Sequence, residues 1–433
     1  MLMETDKLYE VFEQHPVVTT DSRDCPQGSI FIALKGASFN GNRFARAALE
    51  KGCAYAVVDE PGYAEDSRYI VVPDCLRALQ LLGRHHRRRF DIPVIGITGT
   101  NGKTTTKELV SAVLAERYNV LHTEGNFNND IGVPKTLLRL NASHDIAVVE
   151  MGASHPGDIK TLVELVEPQY GIITNVGRAH LQGFGSFEGV VRTKGELYDF
   201  LRTRPGSMVF IHCDNSYLTA IAGGLDRETY GTVESSRPDV LGRIDSCAPM
   251  LSFSWRHKDG PWHAVATRLI GSYNVCNMLA AVTVGLHFGV SPGQIDHALA
   301  AYAPSNNRSQ LERTAHNCLI VDAYNANPTS MAAALDNFKL MAVRPKMAIL
   351  GDMGELGDAS GEEHQKVADW LKANPLDTVW LVGSEFAKTD CPFRKFAGAG
   401  EVRAELERNR PEGRYILIKG SNAMHLSTLK EWL

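Results

Sequence analysis

An apolar run that ends in a glycine-rich turn is the feature that most constrains the fold of this chain. Pro93–Thr98 is typical of a buried strand, and a helical pattern follows the turn Gly99–Thr105, which reads Gly-Thr-Asn-Gly-Lys-Thr-Thr. Glycine allows a sharp turn, and consecutive N–H groups at a helix start bind anions. The run therefore predicts a phosphate loop for ATP, with Lys103 near the β and γ phosphates and Thr104 near Mg²⁺.

The spacing of this loop departs from the common Gly-x-x-x-x-Gly-Lys-[Ser/Thr] pattern. That pattern requires glycine at position 97, where Ile97 stands, so the loop is a shorter Gly-x-x-Gly-Lys-Thr-Thr form. A glycine-rich turn of purely structural purpose is the alternative. The lysine and threonine in register with the strand favour phosphate binding.

Three further polar side chains of the same region, two of them after strand candidates, are candidate partners of the loop. Glu150 ends the apolar run Ile146–Val149, and a buried carboxylate is costly without a cation. Ligands of open α/β sheets bind at the carboxyl ends of strands, so we expect Glu150 at the same crevice as the loop, with Mg²⁺ as its partner. A capping or edge carboxylate is the alternative. His180 follows the strand candidate that ends at Asn175, and Lys194 lies in a helical stretch; composition alone distinguishes neither from a structural residue.

The order of apolar runs divides the chain into three blocks, 1–88, 89–303 and 304–433. Strands alternate with helices in the second and third blocks, which predicts parallel sheets covered on both faces, and Asp259-Gly260 predicts a hairpin. Helices are expected at Asn42–Lys51 and Leu76–His86, and from Asn327 and Ser360. The remaining strand candidates are Ser29–Leu34, Tyr55–Val58, Tyr69–Val72, Gly171–Thr174, Leu251–Trp255, Trp262–Thr267, Cys318–Val321, Met347–Leu350, Val379–Val382 and Tyr415–Ile418.

Composition and charge describe an ordinary soluble protein of 433 residues. The formal net charge is -5, which favours neither nucleic acid nor a membrane surface as a partner. The basic run His85–Arg89 is interpreted as a solvated face or a domain junction. The eight cysteines show no Cys-x-x-Cys pair, no apolar run reaches about 18 residues, and Met1–Lys7 lacks the core of a secretion signal. We therefore expect a cytoplasmic protein with neither a zinc site nor a disulfide framework.

With the loop, Glu150, His180 and Lys194 in this order, the chain resembles the Mur ligases of bacterial cell-wall synthesis over nearly its whole length. Further runs similar to that family are Asp21–Arg23, Gly28–Gly36, Gly125–Pro134, Asp322–Pro328, Gly351–Gly357 and Lys419–Ser421. The resemblance implies an α/β fold of three domains. These are a small N-terminal α/β domain (1–88) for a UDP-muramyl peptide, a central P-loop parallel-sheet ATPase domain (89–303) and a C-terminal Rossmann-like ligase domain (304–433).

Within the family, the similarity is greatest to members that join D-alanyl-D-alanine to UDP-N-acetylmuramoyl-tripeptide. The implied reaction consumes ATP, passes through an acyl phosphate and yields a UDP-muramoyl-pentapeptide, ADP and phosphate. The implied cofactors are two Mg²⁺ ions, and Lys194 is implied to become a carbamate. We expect a monomer. The sequence leaves open whether the third residue of the tripeptide is diaminopimelate or lysine.

The resemblance also implies a role for individual residues. The residues implied in catalysis are Lys103, Glu150, His180 and Lys194, and those implied as metal ligands are Thr104, Glu150, His180 and Lys194. The residues implied to contact ATP are Gly99, Thr100, Asn101, Gly102, Lys103, Thr104, Thr105, Asn274, Asn277, Arg308 and Asp322. The residues implied to contact the other substrates are Asp21, Ser22, Arg23, Lys35, Asn128, Asn129, Asn325, Asn327, Lys419 and Ser421.

Three positions depart from the family pattern. Tyr273 stands in place of the usual histidine, Asn307 in place of glycine, and Asn422-Ala423 in place of Arg-Ser. The alternatives are a sister ligase that adds another amino acid, a folylpolyglutamate-type synthetase, and a nucleotide-binding regulator without ligase activity. The run Tyr324–Pro328 and the N-terminal block argue against the first two, and the joint presence of Glu150, His180 and Lys194 argues against the third.

Overall fold

The computed structural model describes residues 2–304 and 310–433, with side chains from residue 6 onward. Arg308, implied to contact ATP, and Asn307 lie outside the described residues. The chain packs into two compact units. The first comprises Met1–Gly96, Tyr118–Gly152 and Asp158–Tyr170, and the second comprises Ile97–Arg117, Ala153–Gly157 and Gly171–Leu433.

A four-stranded parallel sheet forms the N-terminal part of the first unit, in the order β1-β2-β5-β6. Its strands are β1 (Val18–Thr19), β2 (Ile30–Ile32), β5 (Tyr55–Val58) and β6 (Tyr69–Val71), while β3 (Lys35–Gly36) and β4 (Phe39–Asn40) form a separate antiparallel pair. The helices are α1 (Leu2–Gln14), α2 (Ala45–Glu50) and α3 (Cys75–Arg87). The helix expected at Asn42–Lys51 begins instead with a 3₁₀ turn, Gly41–Phe44, because the Asn40 side chain accepts from the Asn42 N–H.

The second sheet has nine strands in the order β15-β14-β13-β12-β11-β10-β7-β9-β8. Parallel pairing joins β8 to β9 and β11 through β13, and antiparallel pairing joins β13 through β15. The predicted hairpin is confirmed. The strands are β7 (Val94–Thr98), β8 (Val120–His122), β9 (Ile146–Glu150), β10 (Tyr170–Ile173), β11 (Met208–His212), β12 (Asp226–Gly231), β13 (Val240–Cys247), β14 (Met250–His257) and β15 (His263–Ile270).

Eight helices accompany these strands in sequence. They are α4 (Lys103–Ala115), α5 (Gly132–Leu137), α6 (Asp158–Val166), α7 (Leu181–Phe184), α8 (Phe187–Arg202), α9 (Ser216–Ile221), α10 (Val275–His287) and α11 (Pro292–Ala301). Helix α10 is apolar around most of its circumference and packs against α4. Such a helix is stable only when buried, so α10 gives the helix that follows the phosphate loop a rigid support.

The C-terminal part of the second unit contains a six-stranded sheet in the order β16-β17-β21-β18-β19-β20, parallel except for the β16–β17 pair. Apolar clusters pack on both of its faces. The strands are β16 (Gln310–Arg313), β17 (Cys318–Asp322), β18 (Lys346–Gly351), β19 (Thr378–Val382), β20 (Arg394–Phe396) and β21 (Tyr415–Lys419). The helices are α12 (Pro328–Leu340), α13 (Ser360–Ala373), α14 (Ser384–Ala387) and α15 (Ala399–Arg408).

Short 3₁₀ turns complete the fold at Pro61–Tyr63, Glu234–Ser236, Ser272–Asn274, Gly357–Ala359, Asn422–Met424 and Leu426–Trp432. Within the described residues, every helix is too short or too polar to cross a bilayer.

The basic run His85–Arg89 is only partly solvated, and two of its members fit the domain junction that is the second interpretation of this run. His86 and Arg87 are buried, and they contact the backbone oxygens of Leu140 and Val166. The run joins the end of α3 to segments far along the chain. A packing junction is therefore the correct interpretation.

Candidate active site

The predicted strand, loop and helix are all present at the glycine-rich turn. Strand β7 ends at Thr98 and α4 begins at Lys103. Gly99 and Gly102 adopt φ values of +140° and +79°. A Cβ atom at Gly99 would overlap the Thr174 hydroxyl, and one at Gly102 would lie 2.7 Å from Asn277 Oδ1. Both backbone conformation and space therefore require glycine at these positions.

Residues after β10 hold the loop from the side. Thr174 Oγ1 donates to the Asn101 carbonyl at 2.6 Å, and the Asn175 side chain accepts from the Asn101 N–H at 3.0 Å and donates to its carbonyl at 2.9 Å. Sequence reasoning did not identify these two supports. Their signal was the polar pair that immediately follows an apolar strand.

The Lys103 amine lies against the loop itself. Its Nζ donates to the carbonyls of Gly99 at 2.8 Å and Thr100 at 3.0 Å. Thr104, the residue with the predicted metal-ligating hydroxyl, is buried at the first turn of α4. The loop thus combines a helix start, a cation and a hydroxyl, which is the set that a nucleotide phosphate with Mg²⁺ requires.

His180 and Lys194 approach the same region from the segments after β10. Lys194 is 2% exposed, donates to the Ala153 carbonyl at 3.3 Å and lies over the Phe184 ring at 5.3 Å. Burial lowers the pKa of His180, and although the Glu355 charge raises it, Lys103 and Lys194 lower it further. His180 is therefore neutral near pH 7. The structure brings Lys103, His180 and Lys194 within electrostatic reach of one another.

Glu150 is the last residue of β9 and is completely buried in the first unit. Its Oε1 accepts from Asn128 Nδ2 at 2.8 Å, and its N–H donates to Thr123 Oγ1 at 3.0 Å. Asn129 stabilises the turn in which it lies, because its side chain accepts from the Gly132 N–H at 2.8 Å. The predicted substrate residue Asn128 is thus a direct partner of the predicted metal ligand.

Taken one at a time, these side chains have chemistry suited to Mg²⁺ binding. A carboxylate and a hydroxyl are oxygen ligands of the kind Mg²⁺ prefers, and the depressed pKa of His180 leaves its imidazole in the neutral form that binds metals. Lys194 as an ammonium is not a ligand, whereas a carbamate on its nitrogen supplies oxygen. Its nearly complete burial would shield such a group from water.

Asn274 and Asn277, which the resemblance implies to contact ATP, link helices through hydrogen bonds. Asn277 Nδ2 donates to Asn274 Oδ1 at 2.8 Å, and Asn274 Nδ2 donates to the Ile270 carbonyl at 2.8 Å. Thr106 of α4 donates to Asn277 Oδ1 at 3.1 Å. These bonds fix α10 against the helix of the phosphate loop, and the contact of both asparagines with ATP stays a prediction.

In the C-terminal sheet, Asp322 and Lys419 form a buried ion pair at 2.6 Å. The Lys419 side chain is 1% exposed, and its amine also donates to the Asn325 carbonyl at 3.3 Å. Ser421 lies just beyond Lys419 in the chain, and its N–H donates to the Asp352 carbonyl at 3.0 Å. Residues that the sequence assigned separately to ATP and to the other substrates thus belong to one cluster at the ends of β17 and β21.

Asn327 contacts the phosphate loop directly. It caps α12, and its Nδ2 donates to Asn101 Oδ1 at 2.8 Å, while Asn101 Nδ2 donates back to Asn327 Oδ1 at 3.4 Å. A second contact lies nearby, where the Arg178 N–H donates to Thr329 Oγ1 at 3.2 Å. The start of α12 is therefore tied to the nucleotide loop.

The residues predicted to bind uridine lie at the surface of the first unit. Arg23 pairs with Asp21 at 2.7 Å, and its hydrogen bonds hold the pKa of Asp21 well below the usual range. Lys35 bridges Asp59 and Glu60 at 2.9 Å each, which raises the Lys35 pKa well above its ordinary value. The Ser22 carbonyl accepts from Lys51 Nζ at 2.7 Å. Their contact with uridine stays a prediction.

Comparison with known protein families and structures covers all three blocks. Residues 16–87 match the model of the Mur ligase family catalytic domain, residues 97–285 the Mur ligase middle domain, and residues 307–422 the Mur ligase glutamate ligase domain. The chain is 34% identical to the UDP-N-acetylmuramoyl-tripeptide–D-alanyl-D-alanine ligase of Bacillus subtilis, over 95% of this chain and 92% of the relative.

Solved structures agree with these matches. MurF from Acinetobacter baumannii superposes with a TM-score of 0.86 at 33% identity, covering 96% of this chain and 92% of its own. MurF ligase from Thermotoga maritima, solved in complex with ADP, gives a TM-score of 0.85 at 25% identity and covers 96% of both chains. The fold that carries this phosphate loop thus has solved relatives. The chain belongs to the Mur ligase family.

Proposed function

We propose that this protein joins D-alanyl-D-alanine to UDP-N-acetylmuramoyl-tripeptide at the expense of ATP, completing the pentapeptide precursor of peptidoglycan. The observation that carries the proposal is the continuity of the similarity: 34% identity to a ligase of that name runs through 95% of the chain. Similarity confined to the nucleotide domain would not identify the other two substrates. Similarity through the N-terminal and C-terminal blocks extends the proposal to the acceptor and the dipeptide.

The proposed reaction has two steps. A carboxylate oxygen at the end of the tripeptide attacks the γ-phosphorus of ATP, the bond to the β–γ bridging oxygen breaks, and ADP leaves. The dipeptide nitrogen then attacks the acyl phosphate carbonyl, and the C–O bond to phosphate breaks as the amide forms and nitrogen loses its proton. The loop N–H groups and Lys103 hold the phosphates and offset their charge, which is most of what phosphoryl transfer requires.

Thr104, Glu150, His180 and Lys194 are the residues that would hold two Mg²⁺ ions, Lys194 as a carbamate made with CO₂. When bound, these ions neutralise phosphate charge and polarise the phosphoryl and carboxylate oxygens. The protein's own contribution is the neutral imidazole of His180 and the burial of Glu150 and Lys194.

The domain boundaries at residues 88 and 303 belong to the same proposal, with the nucleotide peptide, ATP and dipeptide each served chiefly by one domain. We place the enzyme in the cytoplasm, where its nucleotide substrates are made, and infer that it acts as a monomer. The individual ATP and substrate contacts given above, including Arg308, Asn325 and Ser421, remain assignments within the proposal. The third residue of the tripeptide is left open.

Phosphate release measured with a panel of UDP-muramyl peptides and D-amino-acid dipeptides tests this function. We expect turnover to require a UDP-muramyl tripeptide together with D-alanyl-D-alanine. Turnover with a UDP-muramyl dipeptide and a single amino acid would instead establish a sister ligase. An Lys103→Ala variant that still released ADP at the normal rate would contradict the role of the loop.

The carbamate has a separate test with a readout besides activity. Lys194→Ala is expected to lose activity, which short carboxylic acids restore in part by supplying the missing oxygens. Carbon-13 NMR of protein in labelled bicarbonate is expected to show a carbamate signal that this variant lacks. Full activity of Lys194→Ala without any additive, or the same signal in the variant, would exclude the carbamate.

A further inference from the structure

Glu355 contacts the proposed metal ligand His180 from the C-terminal block, and the proposed function gives it no role. It belongs to the run Gly351–Gly357, which the sequence analysis singled out. Its carboxylate pairs with His180 Nδ1, while its side chain remains 62% exposed. A carboxylate in that position touches the proposed site and is also open to an incoming molecule.

The backbone holds this carboxylate in place. Glu355 adopts a left-handed conformation with φ +62°, which costs a non-glycine residue about 1–2 kcal/mol. Its carbonyl accepts from the Gln182 N–H at 3.3 Å, and Gly357 lies against Gln182 on the other side. Strained residues persist where their surroundings fix them, and they concentrate at functional sites.

The charges around Glu355 suggest what it binds. Lys103 lies against the phosphate loop and acts electrostatically on His180, and its charge suits phosphate and the acyl phosphate. The same charge repels a cation. The α-amino group of a peptide has a pKa of about 7.7–8.0, so the dipeptide arrives mostly as an ammonium ion. A carboxylate at His180 offsets that repulsion and accepts charge-assisted hydrogen bonds from the ammonium.

We propose that Glu355 binds the α-ammonium of the incoming dipeptide and positions its nitrogen for attack on the acyl phosphate. This inference rests on the proposed function and adds the residue that recognises the nucleophile. The ammonium releases one proton to solvent, the nitrogen forms the C–N bond, the C–O bond to phosphate breaks, and a second proton leaves as the amide forms. Glu355 forms no covalent bond in these steps and acts through its position beside His180.

Two nucleophiles of different charge test the proposal with Glu355→Gln. Hydroxylamine is uncharged at neutral pH, and it converts an acyl phosphate to a hydroxamate and phosphate without an ammonium-binding group. We expect kcat/KM for D-alanyl-D-alanine to fall about 10- to 100-fold, mainly through KM, as for a lost hydrogen bond to a charged group. Hydroxamate formation from UDP-N-acetylmuramoyl-tripeptide and ATP should stay within about twofold of the wild-type rate.

Glu363→Gln is the control. Glu363 lies in the same C-terminal block as Glu355 and pairs with Arg178 of the central block, without contacting His180 in the described structure. It should change the rates with both nucleophiles by the same factor. Glu355→Asp keeps the charge and should recover part of the dipeptide activity. Equal losses with both nucleophiles in Glu355→Gln, or no loss with the dipeptide, would overturn the proposal. If the wild-type enzyme forms no pentapeptide from this tripeptide and D-alanyl-D-alanine, the proposed function fails first.

Discussion

The buried pair of Asp322 and Lys419 yields the most quantitative prediction. The two charged atoms lie 2.6 Å apart, with the side chains 17% and 1% exposed. At an effective dielectric constant of 20, their attraction is roughly 6 kcal/mol, and desolvation offsets much of it. Asp322→Asn preserves shape and one hydrogen bond but leaves a buried ammonium uncompensated. We expect a loss of about 3 kcal/mol in the free energy of unfolding of the C-terminal block.

Differential scanning calorimetry without nucleotide measures this effect. For a block of this size, about 3 kcal/mol corresponds to a fall of roughly 10 °C in its unfolding transition. Asp322→Asn combined with Lys419→Met removes both charges and should return stability to within about 1 kcal/mol of the wild type. As a control, Glu407→Gln breaks the pair with Arg403, which is half exposed, and should cost less than about 1 kcal/mol. A single variant as stable as the wild type, or a double variant no better than the single, would refute the reasoning.

Three further predictions follow from the loop and from the first unit. Gly99→Ala should abolish ATP binding in calorimetric titration while circular dichroism stays native, because the added Cβ displaces the loop; normal ATP affinity would contradict this. Asn101→Asp should lower turnover moderately, because the hydrogen bond that Asn327 Nδ2 donates survives. The double variant Asn101→Asp with Asn327→Asp places like charges together, and its loss of turnover should exceed the sum of the losses in the single variants. Burial lowers the pKa of His86, so below about pH 6.5 the unfolded state binds a proton more strongly than the folded state does. The contribution of His86 to the free energy of unfolding is therefore complete above about pH 6.5 and falls below it. Thermal midpoints at pH 7.5 and 5.5 should therefore differ more in the wild type than in His86→Gln, and identical differences would exclude His86 as the cause.

The sequence was sufficient for features that are encoded within a few residues. The turn Gly99–Thr105 has its strand and helix where the apolar pattern predicted them, and the hairpin at Asp259-Gly260 forms as its turn residues require. Asn327 caps α12, as a short polar side chain before Pro328 favours. Local backbone preference and hydrophobic periodicity decide these elements, so a single sequence contains the information. The family motifs added the expected activity and the expected partners of the loop in the reaction.

The tertiary structure decided which distant side chains meet. Asp322 and Lys419 are partners only because β17 and β21 pair in parallel in that register, 97 residues apart. Likewise, Asn327 reaches Asn101, and Glu355 reaches His180, through the packing of the second unit. Strand register and helix packing are set by the combined burial of many apolar side chains, which no short motif records. The phosphate loop was thus determined by its own residues, whereas its partners were determined by the fold.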